Sequence, residues 1–231
     1  MRDFDPVTPF PFFDQGLHTP SEVSALAQQT DEWLGLRISE IENKLAVHGC
    51  RKRARDSSKE KQELWFGLEP QKLLTPYTEI RSLLETLNPQ PGQIVVDLGA
   101  AYGRMGFVIA KCFPQVNFVG YEYVGERVEE GRRCLARLAF DSRIRMEHAD
   151  LAANDFHPVA ADFYFIYDFG TLKAIEKTLY DLKRIAKQRP ITLVGRGRHC
   201  RYLIETRHSW LKHAFADAPE CAATIYLGHD V

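Results

Sequence analysis

The sequence predicts an α/β fold: a doubly wound seven-stranded sheet, mostly parallel with an antiparallel closing strand, plus a helical N-terminal extension. Three observations predict it. From residue 93 onward, strand-length apolar runs alternate with helix-length amphipathic segments, the rhythm of consecutive βαβ units. The first unit, "IVVDLGAAYGRMGFVIAKCF" (94–113), is an apolar run that ends in an acid, turns through a glycine loop and becomes apolar again at helical spacing. Ahead of it, the patterned segments are helical only.

Residues 1–18 are rich in Pro and Phe and have no period, so they read as an irregular arm. Thr19 and Glu22 form a capping box, with Pro20 at the first helical position. Val23, Leu26, Leu34, Ile38, Ile41 and Leu45 keep helical spacing, which predicts one amphipathic helix stopped near Gly49. The charged run "RKRARDSSKEKQE" (51–63) has no apolar stripe and reads as a linker or solvated helix. In "TPYTEIRSLLETLNP", Thr75 is placed to cap, Pro76 to start and Asn88–Pro89 to end a second helix. Strands are predicted at 93–98, 117–123, 143–148, 162–167 and 191–195, and helices at 102–113, 125–139, 171–188 and 201–207. "SWLKHAF" and "ATIYLGH" form a closing antiparallel pair. The chain divides into an arm and helical extension, 1–70, and a sheet-bearing domain, 71–231.

With 231 residues, 45% hydrophobic and 26% charged, the chain can bury a full core. A net charge of −1 supplies no global field that draws it to nucleic acid or an anionic membrane. No apolar run is long enough to span a bilayer, so no membrane partner is expected. The first residues carry acids and prolines where an export signal has a basic start and an apolar core, and a cytoplasmic location is expected. Five cysteines, with no C-x-x-C pair, argue for reduced thiols rather than a disulfide framework or zinc site. His199, His208 and His213 lack a metal-ligand spacing, so no metal is expected.

The glycine loop is selective about its ligand. A dinucleotide fingerprint needs glycines at 99, 101 and 104, but the chain has Gly99, Ala101 and Arg104. A phosphate loop is absent too. Asp97 sits at the strand's carboxyl end, where ligands bind in such sheets. A carboxylate there repels a pyrophosphate and suits a ligand that presents a cation. S-adenosylmethionine presents an ammonium and a sulfonium. Gly99 and Gly103 let the backbone approach it closely. Glu122, 25 residues after Asp97, ends the second strand and is placed to hold ribose hydroxyls. Asp150, after the third strand, is placed to accept from an adenine amino group, with Leu151 covering the ring. Three acids at successive strand ends form a constellation.

From about residue 75 to 195 the chain resembles the class I, seven-strand S-adenosylmethionine-dependent methyltransferases. "VVDLGAAYGRMG" is similar to their first motif, "GYEY" to the second, "HADL" to the third and "ADFYFIYDFG" to the fourth. Ala101 stands where their first motif carries its middle glycine. The resemblance implies a Rossmann-like fold, S-adenosylmethionine as cofactor, and binding by the loop residues Leu98, Gly99, Ala100, Ala101, Gly103 and Arg104 and by Tyr123. "TPYTEIRSLLETL" resembles the cofactor-covering segment of the non-SET protein-lysine methyltransferases, of the histone-lysine and ATP-synthase c-subunit types, which adds Thr75, Tyr77 and Glu79. "YDFG" differs from the Asn-containing motif of the histone enzymes.

The fourth strand ends where the methyl group should lie, so Tyr167, Asp168 and Phe169 are the candidate catalytic wall. Asp168 is placed to hold an ammonium or take its proton, or else to cap a helix starting near Thr171. Tyr167 and Phe169 offer aromatic faces to a cationic amine. The expected acceptor is a protein side-chain amine. RNA is the alternative, favoured by the basic clusters within 51–63 and 195–201. Small-molecule methylation and a non-catalytic, cofactor-sensing module are the other readings. The oligomeric state is left open.

Overall fold

The computed structural model describes residues 19–55, 74–138, 142–214 and 223–228. The Pro/Phe-rich arm and the charged run from residue 56 lie outside the described residues.

The extension folds as two helices, α1 (Pro20–Leu34) and α2 (Ile38–Arg55). The Thr19–Glu22 capping box forms as expected. The single helix does not. Gly35 adopts φ 71° and its amide donates to the Asp31 and Glu32 carbonyls, which ends α1 in a left-handed cap. Leu36 follows that cap into the core, and the chain restarts at Ile38. Gly49 lies inside α2 and stops nothing.

Helix α3 spans Tyr77–Leu87. Here too the expected start is corrected: Pro76 is the N-cap, in extended conformation, and no side chain caps the helix, so Thr75 does not do so. Asn88 ends it at φ 47°. The remaining elements alternate: β1 (Ile94–Leu98), α4 (Arg104–Cys112), β2 (Asn117–Glu122), α5 (Gly125–Arg137), β3 (Ile144–His148), β4 (Phe163–Tyr167), α6 (Leu172–Ala186), β5 (Ile191–Arg196), α7 (Arg198–Arg207), β6 (Leu211–His213) and β7 (Ala223–Gly228).

The seven strands form one sheet in the order β3-β2-β1-β4-β5-β7-β6. Strand β7 alone runs antiparallel, between β5 and β6. Alternation along the central strands builds two cores. Val95, Phe118, Phe163 and Phe165 face α1–α5. Val96, Leu98, Val119, Tyr164 and Ile166 face α6 and α7. A strand apolar on both faces is what a covered parallel sheet requires. The chain leaves β1 toward β2 and β3, then returns to the other side of β1 at β4. That reversal leaves a crevice at the carboxyl ends of β1 and β4, the standard ligand position in a doubly wound sheet.

Candidate functional site

The loop after β1 is built around its backbone. Gly99 and Gly103 adopt φ 98° and 78°. The Gly99 and Ala100 amides both donate to the Tyr121 carbonyl at 2.9 Å, tying the loop to β2. A Cβ on Gly99 would stand 2.5 Å from the Phe169 Cβ, and one on Gly103 would stand 2.7 Å from the Met146 sulfur. Ala101 also lies in the left-handed region, at φ 47°. The small residue replaces the usual glycine without replacing its backbone conformation, at a cost of about 1–2 kcal/mol.

Glu122 supports this loop from below. It is buried, and its carboxylate accepts from the Ala101 amide at 2.9 Å and the Val124 amide at 2.8 Å. Arg127 lies 3.9 Å away. The residue that the sequence places to hold ribose hydroxyls also anchors the glycine loop.

The extension grips the same loop from the other side. Asp31 of α1 forms a buried ion pair with Arg104 and accepts from the Tyr77 hydroxyl at 2.7 Å. Arg104 also donates to the Thr75 carbonyl at 3.1 Å and stacks on the Tyr77 ring. Glu42 of α2 accepts from the Tyr102 hydroxyl at 2.7 Å and from Arg127 at 2.9 Å and 3.1 Å. Arg37 and Arg133 converge on Glu130 of α5. Arg104 and Tyr77 therefore bind the extension. Sequence reasoning missed Asp31 and Glu42, because an acid inside an amphipathic helix reads as solvated.

A cleft of about 630 Å³, open to solvent, lies over β1, β4 and β5. Of the predicted residues, Thr75, Asp97, Gly99, Ala100, Ala101, Arg104 and Tyr167 line it. Ile80, Leu83, Met105, Phe165 and Val194 make it largely apolar. Within the described residues no hydrogen bond or ion pair reaches the Asp97 carboxylate, and burial and the nearby Glu122 charge raise its pKa to about 7. Arg196, at the end of β5, completes the rim. It pairs with Glu79 at 3.1 Å and lies over the Tyr167 ring at 4.6 Å.

The catalytic candidates separate. Tyr167 reaches the cleft and is 38% exposed. Asp168 does not line it. Its carboxylate accepts from the His199 and Cys200 amides at 3.0 Å and 2.8 Å, capping α7. The helix at Thr171 has its own cap, the Thr171 hydroxyl. Phe169 packs on Gly99.

Four further cofactor candidates lie outside the cleft walls. Leu98 and Leu151 are buried, and Tyr123 is exposed beside His148. One Asp150 oxygen accepts from the Ala152 amide at 2.9 Å. Cys112, Cys134 and Cys200 are free thiols, and His208 is buried beside Trp210. Among the described residues no group of ligating side chains is arranged for a metal, and no helix is long and apolar enough to cross a membrane.

The strand order with its single antiparallel β7 is the class I methyltransferase fold, and solved structures agree. The chain is similar to a SAM-dependent methyltransferase from Aquifex aeolicus, with a TM-score of 0.51, 14% identity, and coverage of 69% of this chain and 98% of that one. It is similar to a TehB-like SAM-dependent methyltransferase from Corynebacterium glutamicum, with a TM-score of 0.50, 12% identity, and coverage of 84% and 100%. TrmN from Thermus thermophilus has a TM-score of 0.50 and 13% identity over 66% of this chain and 48% of that one. The chain spans about half the length of TrmN and of the YcgJ protein it also matches. No protein-family model and no curated protein matches the chain. At these identities the likeness defines the fold.

Proposed function

We propose that the chain is an S-adenosylmethionine-dependent methyltransferase whose acceptor is a protein side-chain amine. Asp97 carries this reading. It is a carboxylate at the carboxyl end of the central strand, facing a cleft beside a glycine-shaped loop, with no cation of the described chain paired to it. Such a group repels phosphates and holds an ammonium. The neighbouring solved structures named as SAM-dependent methyltransferases support the same cofactor.

S-adenosylmethionine supplies, when bound, an activated methyl group on a neutral leaving group. The chain has to align the acceptor, exclude water and leave the acceptor amine unprotonated. Asp97 orients the ligand's ammonium. Tyr167, on the neighbouring strand, offers an aromatic face beside that position. The apolar walls suit the methylene stem of a lysine.

Calorimetric titration with S-adenosylmethionine tests the cofactor. Binding by the wild type that is lost in Asp97→Ala is the expected result, and no binding by the wild type overturns the reading. Labelled cofactor mixed with fractionated lysate tests the acceptor. Label that survives ribonuclease in the protein fraction is expected; label released by ribonuclease overturns the amine acceptor in favour of RNA.

A further inference from the structure

Helices α6 and α7 cover the face of the sheet opposite the extension. From Leu172 to Arg207 the chain carries ten basic and three acidic residues, in a protein whose net charge is −1. On α6 and its C-cap, Lys173, Tyr180, Arg184 and Lys187 recur at helical spacing, which places them on one face. All four are exposed, along about 21 Å of helix. On α7, Arg198 and Tyr202 stand about one turn apart with Arg201 between them, and all three are exposed. Among the described residues no carboxylate pairs with Lys173, Arg184, Lys187, Arg198 or Arg201. The acids of α6 are already engaged. Glu176 holds Arg207 at 2.8 Å, and Asp181 meets Lys177 at 2.7 Å and His157 at 3.0 Å. Five unpaired cations thus share one surface, with Glu205 as the third carboxylate of the two helices.

Two aromatic rings stand in this field. Tyr180 is 54% exposed and Tyr202 is 51% exposed. The Tyr180 ring meets the buried His208 edge to face, with centroids 5.1 Å apart. The Arg207 guanidinium is held above its ordinary pKa first by Glu176 and, after it, by the nearby Tyr202 and Tyr180 hydroxyls, so both rings lie around one cation. This chemistry selects a partner. An acidic peptide meets the cations and leaves the rings uncovered. A double helix meets the cations too, but its base faces are hidden in the stack. A single strand brings phosphates for the cations and base faces for the rings. RNA is the nucleic acid that offers such strands in its loops and ends.

We infer that the outer face of α6 and α7 is a docking surface for single-stranded RNA, with the five unpaired cations on phosphates and Tyr180 and Tyr202 stacked on bases. The cleft opens at the strand ends over Asp97 and Tyr167, whereas this surface runs along the flanks of the two helices. The bound strand is therefore a tether and not the methyl acceptor. The inference goes beyond the methyltransferase reading and does not depend on it. It points to an acceptor protein that is met on RNA.

The test is fluorescence anisotropy of the full chain with a labelled, unstructured RNA strand of about sixteen nucleotides. The same strand annealed to its complement is the second probe, and polyglutamate is the competitor. The single strand is expected to bind at least about fivefold tighter than the duplex, the gain of one stacked base. Its log affinity should fall with log salt at a slope of about −2 to −3.5, for roughly three to five phosphate contacts. Tyr180→Ala and Tyr202→Ala should each weaken binding about fivefold or more, and Tyr180→Phe should restore it. Arg184→Gln with Lys187→Gln should make the salt slope shallower by about 1. These positions are exposed, so thermal unfolding of every variant should match the wild type. No binding of the strand at low salt overturns the inference. Equal binding of the duplex, or displacement of the strand by polyglutamate at equal charge, overturns it in favour of an acidic protein partner. Binding that survives both tyrosine and both charge substitutions places the RNA elsewhere on the chain and overturns it as well.

Discussion

Asp31 of α1 and Arg104, the first residue of α4, form an ion pair across 73 residues of sequence, with side chains only 5% and 4% exposed. The pair joins the N-terminal extension to the cofactor-side loop. Charges this deeply buried hold together only as partners, because each alone has lost its water. The extension is therefore a structural part of the loop rather than an appendage beside it.

Asp31→Ala should be severely destabilising. It removes the Asp31 counter-charge of Arg104 and an acceptor of the Tyr77 hydroxyl. A loss of about 3–5 kcal/mol is expected for breaking one side of a buried pair. Urea denaturation measures it. At temperatures where the variant stays folded, its affinity for S-adenosylmethionine should also fall, since Arg104 begins the helix that leaves the glycine loop. Unchanged stability would show that the extension does not support the loop.

Much of this arrangement was legible in the sequence, and the residues show why. The strands were readable because Val95–Val96, Phe118–Val119 and Phe163–Ile166 are apolar on both faces, a pattern tied to a covered parallel sheet. The Asp97 loop was readable because few chemistries want an acid before two glycines. The break at Gly35 was not, since Leu34 and Ile38 keep helical spacing across it. An acid at a strand end is common to ligand sites and to backbone caps, so the caps that Asp168 and Glu122 make on the Cys200 and Ala101 amides carry no signal in the sequence. Asp31 and Glu42 carried no signal, because their partners are distant in sequence.

Asp168→Ala and Gly197→Ala should behave alike. Gly197 adopts φ 95°, and a Cβ there would stand 2.3 Å from the Asp168 Cγ. Either substitution disrupts the cap on α7. Loss of about 1–2 kcal/mol is expected for Asp168→Ala, and more for Gly197→Ala, whose backbone is strained as well. Thermal unfolding reports both. Titration with S-adenosylmethionine should find Asp168→Ala near wild-type affinity. A collapse of affinity without loss of stability would instead put Asp168 on the ligand.

Ala101→Gly should stabilise the protein. Relief of the left-handed alanine at φ 47° gains about 1–2 kcal/mol. The greater freedom of glycine in the unfolded chain returns about 0.4–1 kcal/mol of that. A net gain of about 0–1.6 kcal/mol follows, centred near about 0.8 and visible as a rise in melting temperature. Lower stability would mean that the alanine methyl contributes packing that outweighs its backbone.

Affinity for S-adenosylmethionine should depend on pH through Asp97. In the ligand-free protein its pKa is raised to about 7, first by burial and then by the Glu122 charge. The ligand's ammonium favours the ionised carboxylate, so binding must release a proton below that pKa. Affinity should rise up to about tenfold per pH unit as pH climbs toward 7. It should level off above 7 and fall again once the ligand's amino group deprotonates near pH 8, about the usual value for such an amine. Stability has the opposite sign. A carboxyl whose folded pKa is raised contributes stability below its unfolded pKa, which is lost as pH rises through the folded value. The ligand-free wild type should therefore lose stability between about pH 4 and 7 at this residue, the unfolded and folded values. Asp97→Asn removes that loss, so it should be more stable than the wild type at pH 8 and fail to bind. A wild-type affinity that is flat as pH rises from about 5 to about 7, the range below the raised value, would mean that Asp97 does not hold the ligand's cation.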